Sequence, residues 1–149
     1  MEKQMREQQA VTIVMIEDDD GHALLIEKNI RRAGVNNRIE GFASGGAALD
    51  YLLNSASNPD SDAYLILLDL NLPDMSGIDI LRQVKEHPVL RSTPVVVLTT
   101  TDDKTEIQRC YDLGCNVYIT KPVNYENFAQ AIKQLGMFFM VMRLPEVAA

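Results

Sequence analysis

The stretch Tyr64-Leu65-Ile66-Leu67-Leu68-Asp69-Leu70-Asn71-Leu72-Pro73-Asp74 decides how this chain folds. Its first half is an unbroken apolar run, as expected of a strand buried on both faces. Asp69 closes the run, and Pro73-Asp74 mark a turn. A carboxylate at the end of a buried strand is costly unless its charge is used there. The pattern recurs elsewhere in the chain. Residues 11–16 are apolar and lead into Glu17-Asp18-Asp19, residues 95–98 lead into Thr99-Thr100, and residues 117–120 lead into Lys121. If these runs are neighbouring parallel strands, acids, hydroxyls and an amine meet at one edge of one sheet. Such a set has the layout of a magnesium-dependent phosphoryl-acceptor site.

Working outward, strands alternate with helices over short connections. After the first strand, Ala23, Leu24, Ile26, Ile30 and Ala33 repeat at helical spacing over residues 22–33, and Gly34 is a good stop. A short strand is expected at 38–42. Ser44 can cap a helix whose inner face is Ala47, Ala48, Tyr51 and Leu52. Residues 54–62, rich in Ser, Asn, Asp and Pro, read as a loop. The third strand covers 63–69. Ser76 opens a helix that stops near His87-Pro88, because the residue before proline avoids helical geometry. A fourth strand spans 93–99. Asp102 or Asp103 caps the next helix, which ends at Gly114. A fifth strand spans 115–120, and a last helix runs from Asn124 to at least Leu135. This alternation predicts an α/β fold, a doubly wound parallel sheet with helices on both faces. Ligands in such sheets bind beyond the carboxyl ends of the strands. A closed barrel would need about eight such units and a longer chain.

The chain has 149 residues, enough for one domain with a real core. An apolar fraction of 46% argues against disorder. A net charge of −7 argues against general affinity for nucleic acid, whose phosphates need Lys and Arg. Cys110 and Cys115 match no common zinc spacing and read as reduced thiols. Residues 1–10 lack the apolar core of a signal peptide, and no run is long enough to span a membrane. A soluble, cytoplasmic protein is expected.

Glu17-Asp18-Asp19, Asp69 with Pro73 and Gly77, Thr99, and Lys121-Pro122 occur in an order and spacing that resemble the receiver domain of two-component response regulators. The resemblance covers residues 11–135, leaving a polar extension at 1–10 and an apolar arm at 136–149. It implies a flavodoxin-like (βα)5 sheet with strand order 2-1-3-4-5. It implies that Asp69 is the phosphoacceptor for a phosphohistidine on a sensor histidine kinase, by carboxylate nucleophilic chemistry aided by positive charge. Glu17, Asp18 and Asp69, with the backbone carbonyl of Asn71, match the residues that hold Mg2+, although the acidic run could slip toward Asp19 and Asp20. Thr99 and Lys121 match the groups that contact the phosphoryl oxygens. Thr99 and Tyr118 match the switch pair, and Pro122 the site of a cis bond. Two departures stand out: Glu17 replaces the more common aspartate, and Thr100 is bulkier than the usual alanine.

The segment Gly136-Met137-Phe138-Phe139-Met140-Val141-Met142-Arg143-Leu144-Pro145 is too apolar for a solvated tail and too short to cross a membrane. It resembles, more loosely, the ends of stand-alone receivers that serve bacterial phytochrome kinases. Phe138, Phe139, Met140, Met142 and Leu144 are therefore expected to build a homodimer, together with the face of the last sheet edge. No output region is recognised after the receiver, so output is expected by protein contact. The protein is not expected to be an enzyme, beyond Mg2+-dependent self-phosphorylation from small donors and self-dephosphorylation. A turnover phosphatase would carry an Asp where Asn71 stands. A cofactor-binding flavodoxin would not place acids in its first strand–helix turn, where a cofactor phosphate needs N–H groups. The remaining alternative is a dimeric adaptor with a vestigial phosphorylation site.

Overall fold

The order of apolar runs becomes one parallel sheet. The computed structural model describes residues 11–58 and 63–121, with 126 and 130. Strands β1 (Thr12–Ile16), β2 (Ile39–Phe42), β3 (Tyr64–Leu68), β4 (Val95–Thr99) and β5 (Val117–Thr120) lie in the order 2-1-3-4-5. Every neighbouring pair is parallel, with β1 matching β3 from Thr12↔Tyr64 to Ile16↔Leu68. The flavodoxin-like receiver fold expected from the sequence is the fold observed.

Alternation along the strands sorts the core into two layers. Val14, Ile16, Tyr64, Ile66, Leu68, Val95 and Val97 face one side, and Ile13, Met15, Leu65, Leu67, Val96 and Leu98 face the other. Helices α2 (Gly45–Ala56), α3 (Gly77–Glu86) and α4 (Lys104–Leu113) contribute to the first layer through Leu52, Leu81 and Cys110. Helix α1 (Asp20–Arg32) contributes Ile26 and Ile30 to the second. Each fully buried Ile or Leu contributes about 1.5–3 kcal/mol, so a central sheet buried on both faces stabilises the frame that carries the strand ends.

Local chemistry sets the helix ends. Asp19, Ser44, Ser76 and Asp103 accept backbone N–H bonds as N-caps. Of the two candidates before α4, Asp103 is the cap. Gly114 ends α4 at φ 109°, and the Cys115 N–H returns to the Cys110 carbonyl at 3.0 Å. One expectation needs correction, and one element was not foreseen. Helix α2 continues through Asn54 to Ala56, because Leu52 is fully buried and its turn is completed before the polar stretch takes over. A 3-10 turn at Leu90–Ser92 lies between α3 and β4, held where His87 Nδ1 accepts from the N–H groups of Val89 and Leu90. The outer strand β5 has its own arrangement: the Tyr118 N–H donates to the Tyr111 hydroxyl at 3.1 Å. Of the expected last helix only Glu126 and Gln130 are described, both helical; the rest of it, Pro122 and the arm at 136–149 lie outside the described residues.

Candidate functional site

Thr99 ends β4, and Glu17, Asp69 and Lys121 stand just past their strands, still fastened to the sheet. The Glu17 N–H donates to Phe42 O at 3.0 Å, the Asp69 N–H to Ile16 O at 3.0 Å, and the Lys121 N–H to Thr99 O at 2.7 Å. Parallel register therefore brings the ends of β1, β3, β4 and β5 to one place. Helix α3 closes in behind them. A Cβ on Gly77 would lie 2.4 Å from the Asp69 carbonyl oxygen, so only glycine lets the helix approach the phosphoacceptor candidate so closely.

The side chains meet as the strand-end pattern implies. Carboxylate oxygens of Glu17, Asp18 and Asp69 all lie within 4.8 Å of one another. Glu17 and Asp69 are buried, and Asp18 is exposed. Asp19 is taken up as the cap of α1 and Asp20 lies in its first turn, while Glu17 and Asp18 are the acids of the run that cluster with Asp69. Lys121 Nζ reaches Glu17 Oε1 at 2.5 Å and Asp69 Oδ2 at 3.3 Å, with its side chain only 7% exposed. The other Asp69 oxygen, Oδ1, accepts the Asn71 N–H at 3.0 Å. Fully buried Thr99 receives a 3.4 Å bond from Asn71 Nδ2 to its Oγ1. Burial pushes the Glu17 carboxyl above its usual pKa, with the Asp69 charge acting the same way; the hydrogen bonds from Lys121 and the Asp19 N–H oppose them.

The donor set fits a hard divalent cation. Every clustered ligand atom is a carboxylate oxygen, and two of the three carboxylates pair with one ammonium. Tyr118 lies at the periphery, half-buried against the first core layer, and its hydroxyl donates to the Thr101 carbonyl at 2.6 Å. Burial pushes its phenol up to about 12. Thr100 is exposed beside the site.

Two features were not expected from the sequence. Asp74 accepts from the Gly45 N–H at 2.9 Å and the Gly46 N–H at 2.8 Å, tying the loop after Asp69 to the start of α2. Its only trace in the sequence is the pair of glycines after Ser44. His22 Nδ1 lies 3.3 Å from Lys121 Nζ, a contact between residues too far apart in sequence to be seen as a motif.

A 2-1-3-4-5 parallel sheet with acids, a hydroxyl and a lysine gathered at its carboxyl edge defines the receiver class of flavodoxin-like proteins. The chain belongs to the response regulator receiver domain family, whose sequence profile matches residues 13–133. A response regulator receiver domain from Rhodospirillum rubrum is 68% identical and superposes with a TM-score of 0.74, over 88% of this chain and 94% of that one. The phosphorylated cyanobacterial phytochrome response regulator RcpA is 33% identical, with a TM-score of 0.73, over 89% of this chain and 95% of that one. Response regulator Rcp1 of Synechocystis is 30% identical over 129 residues, 86% of this chain and 88% of its own length. Its Mn(2+)-bound form superposes with a TM-score of 0.71, over 87% of this chain and 94% of that one. Among the described residues no helix is long and apolar enough to cross a membrane.

Proposed function

We propose that this response regulator accepts a phosphoryl group on Asp69 from a sensor histidine kinase and passes the signal on by protein contact. The observation that carries the reading is the meeting of Glu17, Asp18, Asp69, Thr99 and Lys121 at one sheet edge. The Asn71 N–H holds one Asp69 oxygen, leaving the oxygen beside Lys121 as the nucleophile. That oxygen forms the new bond to phosphorus as the bond to the donor imidazole nitrogen breaks; that nitrogen takes the bonding pair, and the ring, already protonated on its other nitrogen, leaves as neutral imidazole. Lys121 and Thr99 then hold phosphoryl oxygens. Mg2+, held by Glu17, Asp18, Asp69 and the Asn71 carbonyl, would supply positive charge to the transferring group. With Thr99 drawn to the phosphoryl group, its bond with Asn71 is given up, and the packing of Tyr118 shifts with it.

Names borne by relatives favour a phytochrome-type kinase as donor, since RcpA is a phytochrome response regulator and is matched over nearly its whole length. The free thiols of Cys110 and Cys115 fit a cytoplasmic location. The apolar arm, with Phe138, Phe139, Met140, Met142 and Leu144, supports a homodimer.

The test is intact mass after incubation with acetyl phosphate, with and without Mg2+, for the wild type and Asp69→Asn. A Mg2+-dependent phosphoryl adduct on the wild type alone is expected. An adduct of equal yield on Asp69→Asn would move the nucleophile elsewhere. Absence of an adduct on either, with acetyl phosphate and with a kinase, would leave a dimeric adaptor with a vestigial site.

A further inference from the structure

Lys121 has one partner that its pairing with carboxylates does not explain. An ammonium has three N–H donors. Glu17 Oε1 at 2.5 Å and Asp69 Oδ2 at 3.3 Å account for two, and His22 Nδ1 at 3.3 Å faces the same nitrogen. His22 accepts there when its own proton sits on Nε2. The backbone of His22 is fixed in the first turn of α1, where its amide N–H donates to Asp19 Oδ1 at 2.9 Å. Its side chain is 48% exposed, so it stands at the mouth of the site rather than in its floor. Nδ1 also lies 3.9 Å from Glu17 Oε2. It is absent from the cluster of mutually close ligand atoms formed by Glu17, Asp18 and Asp69, so direct metal ligation is not its role.

Consider what a divalent cation meets on entering that cluster. Lys121 already neutralises Glu17 and Asp69, and two cations a few ångströms apart repel strongly in a half-buried pocket. The ammonium must give up at least part of its hold on the carboxylates. Removing it to water gives up its buried contacts, and bringing the freed side chain back to the site costs the rotamer entropy of a long side chain. A neutral acceptor already in contact removes most of that cost. The lysine stem is flexible enough for the short shift.

We propose that His22 is a positioning residue that receives the Lys121 ammonium when a divalent cation occupies the Glu17–Asp18–Asp69 cluster. It lowers the cost of metal entry and keeps the ammonium beside the site for the phosphoryl group. This rests on the cluster being the metal site described above. The role belongs to the lone pair at Nδ1, so asparagine, whose side-chain oxygen falls near that position, can replace it and alanine cannot.

The experiment titrates Mn2+ into wild type, His22→Ala and His22→Asn without any phosphodonor, following free Mn2+ by electron paramagnetic resonance. Urea unfolding of the metal-free proteins runs alongside to show that all three fold. His22→Ala is expected to bind Mn2+ about fivefold more weakly, the worth of roughly one hydrogen bond, with His22→Asn close to wild type. Equal affinity in wild type and His22→Ala would overturn the proposal while leaving the metal site standing. Equal weakening in both variants would also overturn it, because the acceptor atom would then not be the cause. No Mn2+ binding by the wild type would overturn the metal site itself, and this role with it.

Discussion

At the scale of the residue, Lys121 balances two opposed demands. It compensates buried Glu17 and Asp69, and in the function proposed above it must also be free to meet a phosphoryl group. Removing one partner of a buried ion pair costs about 3–5 kcal/mol, because the other charge is left uncompensated. Lys121→Met is therefore expected to lower the stability of the metal-free protein by roughly 3 kcal/mol, with Mg2+ restoring a larger share than it adds to the wild type. Urea unfolding with and without Mg2+ measures both effects. Identical midpoints for wild type and variant would show that the ammonium does not stabilise the resting site. Asp69 and Lys121 were legible in the sequence because each ends an apolar run, where a charge is costly without a use. His22 was not, because its partner comes from the far end of the chain and no periodicity records that contact.

At the scale of the element, the loop after β3 is held from both sides. Gly77 allows α3 to seat against Asp69, and Asp74 ties the loop to the start of α2 through Gly45 and Gly46. The hydrogen bonds from Gly45 and Gly46 hold the Asp74 carboxyl below its usual value of 3.8. The unfolded chain then binds the Asp74 proton more readily than the folded one. The resulting stabilisation is complete above pH 3.8 and is lost as pH falls through the depressed folded value. Asp74→Asn is expected to lie below the wild type near neutral pH and to close the gap in acid. Urea midpoints across that range test this, and a gap independent of pH would rule out the carboxylate as the source. Strand and helix placement was mostly legible, since buried parallel strands are continuous apolar runs and the caps are Asp, Ser and Gly. The end of α2 was misjudged because polar Asn54 and Ser55 look like loop, whereas burial of Leu52 carries the helix through them. The turn at Leu90–Ser92 was missed because its capping group is a histidine, a residue with no strong turn signal of its own.

At the scale of the whole molecule, fold order followed from chain order once parallel pairing and short connections were granted. Assembly did not, because the composition of the apolar arm does not say what covers it. Sedimentation of the full chain and of a chain ending at Leu135 is expected to give a dimer and a monomer respectively. A monomer from both would remove the arm from the interface. The bond between the Tyr118 N–H and the Tyr111 hydroxyl bears on what such an interface can be. An outer strand with free N–H groups invites a foreign strand to extend the sheet. Here a neighbouring helix has already claimed one of those donors, so an incoming strand would first have to evict a tyrosine. Traffic with other proteins along that border is thereby steered toward recognition of side chains, which can be selective, and away from backbone templating, which would accept almost any extended peptide.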